Sequence, residues 1–163
     1  LVLNSTAVTA DAADRWNDTA PTSSVFSLGD AVEVNTNTEN YIAYCFAEKQ
    51  GFSKFGSYTG NGNADGAFVF TGFRPAFILA KSAAGTTWEM VDNKRLGYNS
   101  SNWNLFPTTA VENADTVRLD ILSNGFKIRT TGSNLNTSGQ TYLYMAFAEA
   151  PLVNSNGVPN NAR

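Results

Sequence analysis

Short apolar runs alternate along this chain with clusters of Gly, Asn, Ser and Thr, and the period within the runs is that of strands. Val117-Arg118-Leu119-Asp120-Ile121 is the cleanest case: residues 117, 119 and 121 are predicted to face a core, with Arg118 and Asp120 in water. Phe126-Lys127-Ile128-Arg129 repeats the pattern. Thr87-Trp88-Glu89-Met90-Val91 sets Trp88 and Met90 against an outward Glu89. Pro75 to Lys81 is nearly continuously apolar, as in a strand buried on both faces. Ala67 to Phe70 is a short run bounded by Gly66 and Gly72, and Tyr142 to Ala148 carries large side chains on both faces. Turn clusters separate the runs, at Gly60 to Asn63, Ala84-Gly85, Ser123 to Gly125 and Ser138-Gly139. Asn124-Gly125 predicts a tight turn, because both residues tolerate positive φ. No long stretch keeps a helical period, and Ala7 to Trp16 predicts one short helical turn at most. The expectation is an all-β fold, an antiparallel β-sandwich of jelly-roll or lectin-like type.

The runs also repeat. Tyr41-Ile42-Ala43-Tyr44-Cys45-Phe46-Ala47-Glu48 returns 101 positions later as Tyr142-Leu143-Tyr144-Met145-Ala146-Phe147-Ala148-Glu149. At the same offset Val34-Asn35-Thr36 falls on Leu135-Asn136-Thr137, and Ala13-Asp14 on Ala114-Asp115. Thr6-Ala7-Val8 resembles Thr109-Ala110-Val111 at an offset of 103. Shared alternation explains matching apolar positions. It does not explain Asn-Thr, Tyr and Phe-Ala-Glu at one fixed spacing. Residues 1–50 therefore read as the second half of a preceding module, 51–152 as a complete β-sandwich module, and 153–163 as a polar C-terminal tail. The chain opens on Leu1-Val2-Leu3-Asn4 without methionine, so it reads as a piece of a longer protein that starts mid-module. Either the upstream half lies elsewhere, or the half-module packs on a neighbour.

Composition narrows the function. Hydrophobic residues make up 42% and charged residues 15%, with eleven Phe, six Tyr and three Trp, which excludes a disordered chain. The net charge is −3 and Lys and Arg are nowhere clustered, so no nucleic-acid partner is expected. No signal peptide and no apolar run of spanning length is present, and no membrane insertion is expected. Histidine is absent, which removes the commonest general base and every Ser-His-Asp or Cys-His arrangement. Cys45, the one cysteine, has no partner for an internal disulfide or a thiolate zinc site. Its apolar surroundings predict a small buried side chain.

Several candidates remain. Asn61-Gly62-Asn63-Ala64-Asp65-Gly66 has the cadence of a calcium loop, with Asn61, Asn63 and Asp65 as oxygen ligands. The twelfth position, where a bidentate Glu belongs, is Gly72, so a polar turn between strands is the favoured reading and no metal is expected. Trp88, Tyr98, Trp103, Trp16 and Tyr58 are candidates for stacking on a sugar ring, beside the amides of Asn93, Asn99 and Asn102. Trp88 suits a core better. Trp103, after the polar stretch Asn99 to Asn102, is the better exposed candidate, which leaves Trp103, Tyr98, Asn99 and Asn102 as the ligand-binding set. Among the carboxylates Glu89, Asp92, Glu112, Asp115 and Asp120, none sits in an apolar pocket signature, and Glu89 and Asp120 are expected on solvated faces. Glu48 and Glu149 end equivalent runs, which predicts a structural hydrogen bond at the strand end. No glycine cluster precedes a helix, so there is no phosphate cradle. The expectation is a non-catalytic domain without a cofactor.

The run Gly66-Ala67-Phe68-Val69-Phe70-Thr71-Gly72-Phe73-Arg74-Pro75-Ala76-Phe77-Ile78-Leu79-Ala80-Lys81 resembles a repeat module of bacteriophage tail-fibre and related virion proteins, notably of marine phages. Phe52 to Gly62, Asp92 to Arg95, Asp120 to Lys127, Asn136 to Tyr142 and Met145 to Glu149 continue the likeness in order. The resemblance implies a virion appendage that is structural or adsorbs to a host surface. The implied partners are copies of itself in a homo-oligomer, a trimer, with other virion proteins and a host-surface glycan. It supplies no catalytic residues. Two other readings stay open: a lectin-like carbohydrate-binding domain, and a purely architectural fibre or capsid-decoration domain.

Overall fold

The computed structural model describes residues 2–3, 5–95, 99, 102–109, 111–150, 152–153 and 159–160. Contacts divide the chain into two compact units, residues 1–9 with 47–163, and residues 10–46. The first nine residues thus belong with the larger unit, not with the segment directly after them.

The larger unit is all-β. Its first strands are β1 (Ser53–Thr59), β2 (Phe68–Phe70), β3 (Pro75–Ser82) and β4 (Glu89–Asp92). Then come β5 (Asn102–Phe106), β6 (Val111–Thr116), β7 (Leu119–Leu122), β8 (Gly125–Ile128) and β9 (Thr141–Ala148). A two-strand ladder, β10 (Leu152–Val153) with β11 (Pro159–Asn160), lies in the C-terminal tail. Six strands form one antiparallel sheet in the order β1-β9-β3-β4-β5-β6, and three form a second in the order β2-β8-β7.

The core lies between the two sheets. Tyr58, Ile78, Ala80, Val91, Tyr142, Tyr144 and Ala146 come from the larger sheet, and Val69, Leu119, Ile121, Phe126 and Ile128 from the smaller. These are alternate positions, as a period of two requires. Burying each large side chain stabilises the fold by about 1.5–3 kcal/mol. Aromatic rings dominate: Tyr58 stacks on Tyr142 at 5.1 Å, and Phe126 meets Tyr144 edge-on at 5.4 Å. The Tyr58 hydroxyl donates to the Leu135 carbonyl at 2.9 Å, so the buried oxygen is satisfied. Most of β3 is buried, and residues 5–9 meet its C-terminal end. Lys81 Nζ donates to Ser5 O at 2.8 Å, and Thr9 N to Ala83 O at 2.9 Å.

Four expectations need correction. Glu89 does not face water: Ala80 pairs with Glu89 and Ile78 with Val91, so Glu89 shares the core face with Val91, and Met90 points the other way. Arg118 joins it inside, with its side chain 15% exposed, whereas Val117 lies outside β7 and is exposed. The β7–β8 turn is Ser123-Asn124, since Leu122 pairs with Gly125, and neither Asn124 nor Gly125 has positive φ. Gly125 is needed for a different reason: a Cβ there falls 2.1 Å from the Val69 carbonyl oxygen on β2.

The fourth correction falls in the smaller unit. It holds two four-residue helical turns, α1 (Ala13–Trp16) and α2 (Val32–Asn35). They are tied by Gly29 N to Arg15 O and Ala31 N to Asp14 O, both at 2.8 Å, and by the exposed Arg15–Glu33 ion pair at 3.2 Å. Trp16 meets Phe26 edge-on at 6.4 Å, but Ala31 is the only buried hydrophobic residue among those described in this unit. Residues 41–48 belong to no strand, and Cys45 is exposed, not buried. A strand needs a neighbour to hydrogen-bond, and among the described residues none runs beside this segment. The larger unit has its own short turn, α3 (Ser133–Asn136), immediately before β9.

Candidate functional site

Among the described residues β1 is an edge strand of one sheet and β2 of the other, and the larger unit has a recess of about 570 Å³ beside them. One wall is the turn into β1. Phe52 N and Ser53 N donate to Lys49 O at 3.0 and 2.9 Å, and Gly51 takes a φ of 71° to close the turn. That places Glu48, Gln50 and Lys54 on the rim. Lys54 Nζ lies 2.6 Å from Glu48 Oε1, and this hydrogen bond holds the lysine above its ordinary range. The other wall is the end of β2. Val69 points inward, so Phe68 and Phe70 point out, and Phe70 is 62% exposed. Gly72, at φ 81°, turns the chain away, and Thr71 Oγ1 donates to Phe73 O at 2.6 Å.

An exposed ring, an ammonium, a carboxylate and a primary amide thus surround one concavity. Such a set can stack on the apolar face of a sugar-like ring and hydrogen-bond its hydroxyls. Among the described residues Glu48 is the one carboxylate on the lining, whereas acid–base cleavage of a glycoside takes two.

A second polar group lies inside the sandwich. Glu89 is 1% exposed, accepts from Asn104 Nδ2 at 3.2 Å, and lies 3.7 Å from Arg118 Nε. Burial pushes the Glu89 carboxyl up, against the opposing pull of Arg118 and a hydrogen bond from Asn134. Glu89 Oε1 and Asn104 Oδ1 have no hydrogen-bond partner among the described residues. Sequence alternation hides this group, because Trp88, which precedes β4, suggests the opposite phase.

Among the described residues of the expected ligand set, Trp103 and Asn99 belong to the framework. Trp103 is not in a loop; it is the second residue of β5 and half-buried, while Asn102 begins the strand. Asn99 is spent on structure: its Nδ2 donates to Ile121 O at 2.8 Å and its Oδ1 accepts from Ile121 N at 2.6 Å. One side-chain amide so imitates a strand partner along the free edge of β7. Tyr98 lies outside the described residues. Trp88 is buried, with Nε1 donating to Val2 O at 2.9 Å and Lys81 Nζ 5.4 Å from the ring centre. Tyr58 is in the core, and Trp16 is exposed in the smaller unit. Asn93 Nδ2 donates to Glu149 Oε1 at 2.8 Å, and Arg74 Nε pairs with Glu149 at 2.7 Å. Asp92 pairs with Arg95 at 2.7 Å and Asp120 with Arg129 at 3.4 Å; the side chains of Glu112 and Asp115 lie outside the described residues.

The loop with calcium cadence turns its oxygens on itself. Asn63 N donates to Asn61 Oδ1 and Asp65 N to Asn63 Oδ1, both at 2.9 Å. Asp65 pairs with Lys127 at 2.8 Å, which lowers its carboxyl below the ordinary range. Sequence reasoning does not find the recess. Its one signal is the outward pair Phe68 and Phe70, in a run that reads as wholly apolar.

Residues 1–151 match a family model described as "Domain of unknown function (DUF7483)", and the chain belongs to that family. No curated protein and no solved structure matches it.

Proposed function

We propose that this member of the DUF7483 family is a non-catalytic structural and adsorption module of a tail-fibre-type appendage on an extracellular virion. The resemblance of Gly66 to Lys81 and the later segments to phage fibre modules supports the setting. The observation that carries the contact role is the exposed Phe70 ring beside the Glu48–Lys54 pair in a recess of about 570 Å³. In this reading the module works as a trimer beside other virion proteins, and the recess meets a host-surface glycan. Several copies turn a weak single contact into firm attachment. The same recess favours the lectin-like reading over a purely architectural domain, because an architectural face gains nothing from an open polar cleft.

The test is adsorption of the purified chain to host cells and to immobilised surface glycans, with Phe70→Ala beside the parent chain. Phe70 is solvent-facing, so the fold and the melting temperature are expected to hold. Loss of one stacking contact is expected to weaken binding about three- to tenfold per site. Equal binding by both chains, or labelling of intact particles that finds the domain away from any appendage, overturns the proposal.

A further inference from the structure

The two copies of the repeat share a hydrogen-bonded device and differ in the strand it launches. Before β9, Asn136 Nδ2 donates to Thr130 O at 2.7 Å, and Asn136 N closes α3 on Gly132 O at 2.9 Å. The Tyr142 hydroxyl donates to Ser133 O at 2.7 Å and accepts from Thr137 N at 2.8 Å. At the repeat offset upstream, Asn35 Nδ2 donates to Gly29 O at 2.8 Å and Asn35 N to Ala31 O at 2.9 Å. There the Tyr41 hydroxyl donates to Val32 O at 2.7 Å and accepts from Thr36 N at 2.9 Å. Even the left-handed residue recurs, Thr38 at φ 72° and Gly139 at φ 76°.

After the second tyrosine the chain enters β9, between β1 and β3, with Tyr142, Tyr144 and Ala146 buried. After the first it enters residues 42–47, which run beside no strand among the described residues, and Tyr41, Ala43 and Cys45, the equivalents of those three, are all exposed. This stretch is uncharged, and such a run left open is an aggregation hazard. The charge that closes it matches too. Glu149 is held by Arg74 and Asn93 of its own module, whereas Glu48 pairs with Lys54 of the next module.

We propose that residues 41–47 are a strand built to sit between a β1-type and a β3-type strand of another first-half segment, of the residue 51–101 kind, supplied from the N-terminal side. The register is that of β9. Tyr58 pairs with Tyr142, and Ile78 and Lys54 pair with Ala146. The incoming tyrosine equivalent therefore lies opposite Tyr41, and the isoleucine and lysine equivalents flank Cys45. A second copy of this chain is a poorer occupant. Its own β9 already fills the slot between β1 and β3, and two copies of 41–47 paired with each other satisfy one edge apiece and leave the core-facing side open.

Cys45 is the chain's one cysteine, so its thiol reports directly. The experiment fuses a second copy of residues 51–101 ahead of Leu1 and compares it with the unfused chain. It reads Cys45 labelling by a water-soluble disulfide reagent and amide exchange across 41–47, with the β9 amides as the internal record that the downstream module is folded. The fusion is expected to slow labelling about tenfold or more and to protect the 42–46 amides. Ala43→Asp, at the position equivalent to buried Tyr144, is expected to undo both without exposing β9. Labelling as fast in the fusion as in the unfused chain, with β9 protected, overturns the proposal. So does a Cys45 already shielded in the unfused chain in a concentration-dependent way, which assigns the strand to a second copy.

Discussion

Asn136→Ala tests how the larger unit ties the polar loop between β1 and β2 to its core. Asn136 is fully buried, and its side chain makes four hydrogen bonds, with Asn61 N, Asn61 Oδ1, Asn63 O and Thr130 O, at 2.7 to 3.1 Å. The two N–H groups are shared among three acceptors, so at a net value of about 1 kcal/mol per full bond truncation removes about 3 kcal/mol. Asn61 and Asn63 lie on an exposed loop where water replaces part of what is lost, which reduces the expected cost to about 2–3 kcal/mol. With an m-value of about 1–3 kcal/mol/M, the urea midpoint followed by tryptophan fluorescence falls by roughly 1–2 M. Asn35→Ala is the built-in comparison. Its amide makes one exposed bond, to Gly29 O, and the larger unit is expected to unfold at the unchanged midpoint. Asn136→Asp is expected to be no better than Ala, since a carboxylate sets its oxygens against the carbonyls of Asn63 and Thr130. A loss below about 1 kcal/mol for Asn136→Ala refutes the reasoning, because the bonds of a buried amide are then worth no more than one at the surface.

The same packing gives two further outcomes. Gly125→Ala brings a methyl to within 2.1 Å of the Val69 carbonyl oxygen and is expected to cost about 3 kcal/mol by forcing β2 from β8, whereas Gly139→Ala meets nothing within 4 Å and costs only the left-handed strain of about 1 kcal/mol; thermal melts of the two variants separate clash from strain. Glu89, raised by burial above 4.5, binds its proton more tightly folded than unfolded, so its contribution is full below the ordinary carboxyl range and is lost as pH rises through the folded value. Glu89→Gln is expected to flatten that decline, gaining on the parent chain as pH rises above the ordinary carboxyl range in urea titrations, and a variant that loses ground there contradicts the assignment.

Much of the frame was legible because strand burial on one face writes itself as alternation. Leu119 and Ile121 in β7, Phe126 and Ile128 in β8, and the doubly buried β3 obey that rule. The single turn of α1 falls inside the segment read as one helical turn at most. The rule fails where pairing overrides composition. Trp88 precedes β4 and does not set its phase; the β3 register does, and it carries Glu89 inward beside Arg118 and Asn104. Trp103 reads as a loop residue because its polar neighbours are strand residues with amide side chains, and Asn99 shows what such amides do here, standing in for a missing backbone partner. The recess was illegible for a related reason. Its walls come from residues 48–54 and 70–72, and only the meeting of two sheet edges brings them together.

Residues 41–48 and 142–149 carry the limit of sequence reasoning furthest. Their patterns match, and the same tyrosine-capped turn launches both, hydrogen bond for hydrogen bond. Yet one is the central strand of three, and the other has no ladder among the described residues. Both are short apolar runs that open on Tyr and close on Phe-Ala-Glu, so pattern alone does not separate them. The difference is the presence of β1 and β3 on either side, which satisfy the backbone of β9 and hold Tyr144 and Ala146 on the core face. A strand is therefore a property of a neighbourhood, and the apolar pattern records which neighbourhood the segment was selected for. On the proposed pairing, the exposed Ala43 and Cys45 stand where β9 buries Tyr144 and Ala146, and the burial of Ala146 gives the place that Cys45 takes when two flanking strands are present.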